Sequence, residues 1–179
     1  YGLALLLLLN IFSCAKDKMS VPNPEFPYPI DSTVVLLQTL PSQINESSGL
    51  YFFNNQIWTH NDSSADPLLF QLDADNQTFV RTVVLQNATN TDWEDLALDD
   101  ESLYIGDFGN NYGDRQDLAV YKVARNNLTK DTIYNLDKIE FAFPDQHHFD
   151  YELRMHDFDC EAMIAFEEEL FLFSKNHIN

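Results

Sequence analysis

The sequence predicts an all-β fold and, within that class, a partial β-propeller of about two and a half four-stranded blades. Three observations carry this. Short runs rich in aliphatic and aromatic residues follow one another from position 31 onward, separated by polar turns, with no sustained helical period. Three stretches share one layout, 45–62 (NESSGLYFFNNQIWTHND), 93–110 (WEDLALDDESLYIGDFGN) and 160–177 (CEAMIAFEEELFLFSKNH): a glutamate, small or apolar residues, an acidic or amide turn, then an apolar core around an aromatic. Glu46, Glu94 and Glu161 lead the copies, Trp58, Tyr104 and Phe171 hold matching places, and two further strands fit between one copy and the next. A sandwich or jelly roll also accounts for short strands, but it has no need of a recurring glutamate.

In chain order, residues 1–14 (YGLALLLLLNIFSC) form an apolar run too short to span a bilayer, ending in a small residue and a cysteine, the pattern of a signal peptide. Residues 15–30 include four prolines within MSVPNPEFPYPI and suit an extended tether. The globular part is expected over 31–179. Its strands are expected at Val34–Leu40, Gly49–Phe53, Gln56–His60, Pro67–Leu72, Thr78–Leu85, Leu96–Leu98, Ser102–Gly106, Leu118–Val123, Lys138–Phe143, Ala162–Phe166 and Glu169–Ser174. The absence of a starting Met and the stop in SKNHIN directly after a strand lead us to expect a fragment of a longer product, with Val34–Leu40 as the outer strand of a closing blade.

The net charge of −19, from 29 acidic and 10 basic residues, repels nucleic acid and anionic membranes and favours cations or basic partners. Cys14 and Cys160 are the two cysteines, so no disulfide framework holds the fold and an apolar core must. Cys160 reads as a buried structural thiol. Triplets of the Asn-x-Ser/Thr type at Asn45, Asn61, Asn76, Asn87 and Asn127 read as chance in an Asn-rich chain.

Two resemblances add to this. Ile11-Phe12-Ser13-Cys14 resembles the bacterial lipobox, and Ala15-Lys16-Asp17-Lys18 resembles the charged segment that follows the lipidated cysteine in surface lipoproteins of the Bacteroidetes type. They imply lipidation at Cys14 and an outer-membrane lipoprotein of the cell envelope, surface-exposed or facing the periplasm. From Val34 on, the series ESSGL, IWTHNDS, TDWEDLAL, LYIGDFGNN with Arg115, and DCEAM ending in SK is similar to a family of uncharacterised bacterial β-propeller lipoproteins. That resemblance implies a six-bladed ring, distantly like the gluconolactonase, phytase-like and SdiA-regulated propellers. Asn110 stands where that pattern more often has an aspartate.

In a propeller the inner strands approach a common axis, so Glu46, Glu94 and Glu161 are expected to converge. Crowded carboxylates raise one another's pKa unless a counter-charge is present. Ca²⁺, which takes six to eight oxygens, is one solution, with Glu46, Asn61, Asp62, Glu94, Asp107, Asn110 and Glu161 as its expected ligands; a network of ion pairs that includes Lys175 is the other. Trp93, Asp95, Arg115 and Lys175 are further candidates for contacts at such a site. The glycines of GDFGNNYGDR shape a turn and not a phosphate loop. His147, His148 and His156 match no metal-ligand spacing, and no nucleophile elbow is present. Two functions follow: a monomeric protein whose acidic central face binds a small molecule or protein partner, with Ca²⁺ there; or a Ca²⁺-dependent lactonase or phosphoesterase with His60 as proton-transfer group.

Overall fold

A computed structural model describes residues 39–63, 65–150 and 155–176. The expected signal peptide, Cys14, the tether and nearly all of the strand over Val34–Leu40 lie outside them. The described part is all-β. Its strands are β1 (Ser47–Phe53), β2 (Gln56–Asn61), β3 (Leu68–Asp73), β4 (Thr78–Leu85), β5 (Trp93–Leu98), β6 (Ser102–Asp107), β7 (Ala119–Ala124), β8 (Thr132–Ile133), β9 (Asp137–Glu140), β10 (Asp159–Phe166) and β11 (Glu169–Lys175). A 3-10 turn at Arg125–Thr129 leads into β8; neither that turn nor β8 was expected. Among the described residues no helix is long and apolar enough to cross a membrane.

Three open sheets result, in strand order β1-β2-β3-β4-β8, β5-β6-β7-β9 and β10-β11. Every pairing is antiparallel except that of β8, which leaves the second sheet's meander to pair in parallel with β4. The leading hairpins have tight turns. Asn54 and Asn55 both take positive φ, as do Glu167 and Glu168, the geometry of a two-residue hairpin turn that matches strand twist. Asp99 holds the middle hairpin's turn by accepting from the Glu101 and Ser102 amides at 2.8 and 2.7 Å.

The sheets pack face to face. Trp58, Leu69, Val83 and Leu85 of the first sheet meet Leu96, Leu103, Ile105, Tyr121 and Val123 of the second. On its other side the second sheet, through Ala97, Tyr104, Leu118 and Val120, meets Cys160, Met163, Leu170 and Leu172 of the third. The first strands of the sheets are stitched directly: Ser48 Oγ donates to the Glu94 carbonyl at 2.9 Å, and the Met163 amide donates to Asp95 Oδ2 at 2.7 Å.

The register corrects one sequence alignment. Counted from the three turns, Ser47↔Asn61, Trp93↔Asp107 and Cys160↔Ser174 are equivalent pairs, and Trp58, Tyr104 and Phe171 occupy one position, as expected. Glu46 does not match Glu94 and Glu161. It stands at the place of Asp92 and Asp159, and Ser48 takes the place of the two glutamates. Each first strand carries a β-bulge at this point, between Ser48 and Leu50, Trp93 and Asp95, and Cys160 and Ala162. An extra residue in the strand lets an acid continue into it without disturbing the core face beyond, which is why β5 begins at Trp93 and not at the expected Leu96.

Candidate acidic cation centre

Three acids from two hairpins meet beside the bulge of β5. Asp62 follows β2, Asp92 precedes β5 and Glu94 is the bulge residue; one carboxylate oxygen of each lies within 4.8 Å of the other two. Local bonds fix their approach. Buried Asn90 spans the hairpins, donating through Nδ2 to the carbonyls of Asn61 (3.0 Å) and Asp62 (2.8 Å) and accepting from the Trp93 amide (3.2 Å). The Asp62 amide donates to the Glu46 carbonyl at 2.8 Å, and the Gly109 amide to the Asp92 carbonyl at 3.1 Å. A Cβ on Gly109 would lie 2.2 Å from Glu94 Oε1 and 2.4 Å from Asp92 Oδ2, so any side chain there would have to displace these two carboxylates.

The electrostatics follow from the crowding. Burial first, then the repulsion of Glu161, Asp92, Asp62 and Asp159, pushes the Glu94 carboxyl up to about 8. Burial and then Asp62 push Asp92 up to about 6, against the pull of Arg115. Two cations serve this region, and both are engaged outside the triad. Arg115 pairs with Asp107 and Asp117, each at 3.0 Å, and donates to the Gly109 carbonyl at 2.8 Å. Lys175 pairs with Glu161 and, at 3.4 Å, with Asp159. A desolvated cluster of carboxylate oxygens is a hard-cation donor set. Asp92 also borders an open cavity of about 300 Å³, lined by Ser63, Asn110, Tyr112, Asp114 and Arg115 among others.

The expected ligands divide. Asp62 and Glu94 come together with Asp92, which lies within the TDWEDLAL element but was not among the expected ligands. The other five lie outside the triad. Glu46 is exposed at the mouth of β1. Asn61 spends its amide on Gln43, Asn45 and the Glu46 amide. Asp107 accepts from the Asp92 amide at 3.0 Å and pairs with Arg115. Asn110 is buried and tied to Asp159, Phe158 and Arg115. Glu161 is neutralised by Lys175.

Of the further candidates, Trp93 is fully buried, with its indole N–H on the Thr89 carbonyl at 2.8 Å, so its face is core. Asp95 joins β5 to β10, and Arg115 clamps the GDFGN loop. His60 is fully buried, stacked edge-on against Trp93 at 5.5 Å. Its Nδ1 bonds the Asn61 carbonyl at 2.9 Å, and its Nε2 lies 2.5 Å from where a Cβ on Gly49 would be. Burial holds its pKa below the ordinary value, so the ring is neutral and closed to solvent. His156 is likewise buried, bonding the Asn111 carbonyl at 3.3 Å, whereas His147 and His148 are exposed. Buried Cys160 has its thiol pushed up to about 12 by burial.

Comparison with protein-family models, with curated proteins and with solved structures finds no match to this chain.

Proposed function

We propose that this chain is a cell-envelope lipoprotein, anchored through Cys14, whose sheets are successive blades of a β-propeller and whose acidic centre holds Ca²⁺ and presents it to a ligand or protein partner. The observation that carries the reading is the triad of Asp62, Asp92 and Glu94, three converging carboxylates with no ion pair of their own among the described residues. Support for the blade arrangement comes from the repeated bulged hairpins, the stitched first strands and the antiparallel meander of each larger sheet. The cavity beside Asp92 leaves room for a ligand oxygen next to a bound ion.

A hydrolase built on the same ion would need a proton-transfer group in reach of solvent, and His60 is enclosed. Binding is therefore the better supported activity. Calorimetric titration of Ca²⁺ into chelator-treated protein tests it: saturable one-site binding is expected in the parent chain, and none in the Asp62→Asn/Glu94→Gln double variant. Equal heats from both proteins would refute the assignment. A panel of lactones and phosphate esters, each assayed with and without Ca²⁺, decides between binding and hydrolysis.

A further inference from the structure

A second cavity, of about 360 Å³, opens between the first sheet and the 3-10 turn that follows β7, at the β1–β2 turn and so at the opposite end of these strands from Asp62. Its chemistry is the reverse of the chain's. Against 29 acidic and 10 basic residues overall, it is lined by two arginines, Arg81 and Arg125, and among the described residues by no acid. Phe53, Trp58 and Leu128 supply apolar wall, and the other lining groups are neutral amides and a hydroxyl, among them Gln56, Gln71 and Asn126. Bonds within the fold account for one arginine and not for the other. Arg81 donates to Gln71 Oε1 at 2.6 Å, to the carbonyls of Leu128 and Lys130, and to Asp131, so it ties β4 to the 3-10 turn. Arg125 lies over the Phe53 ring at 4.1 Å with its side chain 26% exposed. Only its Nη1 is bonded, to the carbonyls of Asp99 and Asp100 at 3.1 and 2.7 Å; among the described residues Nε and Nη2 have no hydrogen-bond partner, and the carboxylate it pairs with, that of fully exposed Asp100, stands 3.9 Å from Nη1.

We infer that this cavity binds a small hydroxylated carboxylate of the sugar-acid type. The Nε–H and Nη2–H donors of Arg125 form one planar edge, the fork that a carboxylate accepts with two parallel bonds, and the Phe53 ring holds that plane in place before any ligand arrives. Pairing a mostly covered guanidinium with a carboxylate also offsets the cost of having taken its charge out of water. Amide side chains both donate and accept, which suits hydroxyl groups and not a purely apolar acid. The volume is near the lower end of the ~300–1,000 Å³ typical of small-molecule sites, so a single ring is the right size. The next interval of the stack meets the same need from within: Lys122 lies 5.7 Å over Tyr104, the counterpart of Trp58, and Asp99 sits beside them, accepting from the Tyr104 hydroxyl at 2.7 Å. The net charge of −19 repels anions at long range, but exposed charges more than about 8–10 Å away are largely screened at physiological salt. That favours a small anion seated against Arg125 over an extended one lying along the acidic exterior. The inference does not depend on the cation centre.

Titration of the isotope-labelled full chain with sodium glucuronate is the test, read from the NMR signals of Arg125 Nε–H and of the Gln56, Gln71 and Asn126 side-chain amides. Chelator-treated protein at constant ionic strength keeps a Ca²⁺–glucuronate contact at the other centre out of the result. Saturable shifts of these signals are expected, with affinity at least tenfold weaker for glucose, which lacks the carboxylate, and for cyclohexanecarboxylate, which lacks the hydroxyls. Arg125→Gln should weaken glucuronate at least tenfold. Because that change also disturbs the packing on Phe53, Asn126→Asp serves as a second variant: it adds an acid to the cavity wall at an exposed side chain and should again cost tenfold, with near-UV circular dichroism unchanged. Glucuronate at millimolar concentration that leaves these signals unmoved overturns the inference. So does glucose or cyclohexanecarboxylate binding as tightly as glucuronate, since the carboxylate or the hydroxyls would then go unread. Glucuronate binding that is unchanged in both variants overturns it too, by placing the anion elsewhere on the chain.

Discussion

Replacing Glu94 with Gln in the cation-free chain should make the protein more stable at alkaline pH, although a carboxylate has been removed from a converging site. The Glu94 carboxyl is raised from its ordinary 4.5 to about 8, by burial first and then by Glu161, Asp92, Asp62 and Asp159. The native chain therefore holds this proton more tightly than the unfolded chain does. The associated stability is complete below about pH 4.5, declines as pH rises through the window up to about 8, and is level beyond. One pKa unit corresponds to about 1.4 kcal/mol, but Glu94 is only half-buried, and solvent screening brings the effect down to about 1–2 kcal/mol. Glutamine is neutral throughout and lacks this decline. In urea unfolding of chelator-treated protein, the two chains should agree to within about 0.5 kcal/mol at pH 5, while the variant should lead by about 1–2 kcal/mol at pH 9. A parent chain with no greater loss between pH 5 and 9 than the variant would show that the Glu94 charge is already compensated, and the case for a cation there would fail. With Ca²⁺ present the order should reverse, because the ion needs the ionised carboxylate; at a hundredfold excess over Kd it contributes about 2.7 kcal/mol to the parent chain alone.

Two further substitutions probe the same centre. Gly109→Ala places a methyl group 2.2 Å from Glu94 Oε1 and 2.4 Å from Asp92 Oδ2; these are the ends of movable side chains, so folding should lose no more than about 1 kcal/mol while calorimetric Ca²⁺ binding drops at least tenfold. Asp62→Lys puts an ammonium group beside Asp92 and Glu94. Cation-free melting should rise by several degrees, about 1 kcal/mol, and added Ca²⁺ should no longer shift it; a lower melting point would count against unbalanced charge at the triad.

Much of the fold was legible because strand signals are local. Short aliphatic and aromatic runs between polar turns marked ten of the eleven observed strands, and the Asn54-Asn55 turn could be read from residue type. Strand β8 was missed since two residues, Thr132 and Ile133, carry no pattern; it forms because the 3-10 turn delivers them to the edge of β4. The centre was legible only in part. Asp62 and Glu94 stood out within the repeat, but the repeat was aligned on its glutamates, whereas the chain is registered by its turns and bulges. That error paired Glu46 with Glu94 and hid Asp92, whose true counterpart is Asp159. Asn90, the strut between the hairpins, gave no signal, because its role lies in three bonds to backbone groups of residues distant or adjacent in sequence.

The corrected register also supplies an internal control for the charge argument. The acid pair Asp92 and Glu94 recurs as Asp159 and Glu161, at the same positions of equivalent bulged strands. In the third sheet the strand opposite carries Lys175 across from Asp159, and the ammonium group neutralises both acids. In the second sheet the position equivalent to Lys175 is Phe108, which is wholly buried in the core and can offer no charge. In the first sheet that position is Asp62, which turns toward the unneutralised pair and adds a third carboxylate. One backbone arrangement is thus satisfied by a lysine in one place and burdened with an extra acid in the other. Burial alone would not select an aspartate at Asp62 over any neutral residue, whereas a divalent cation would, because it converts three mutually repelling oxygens into ligands.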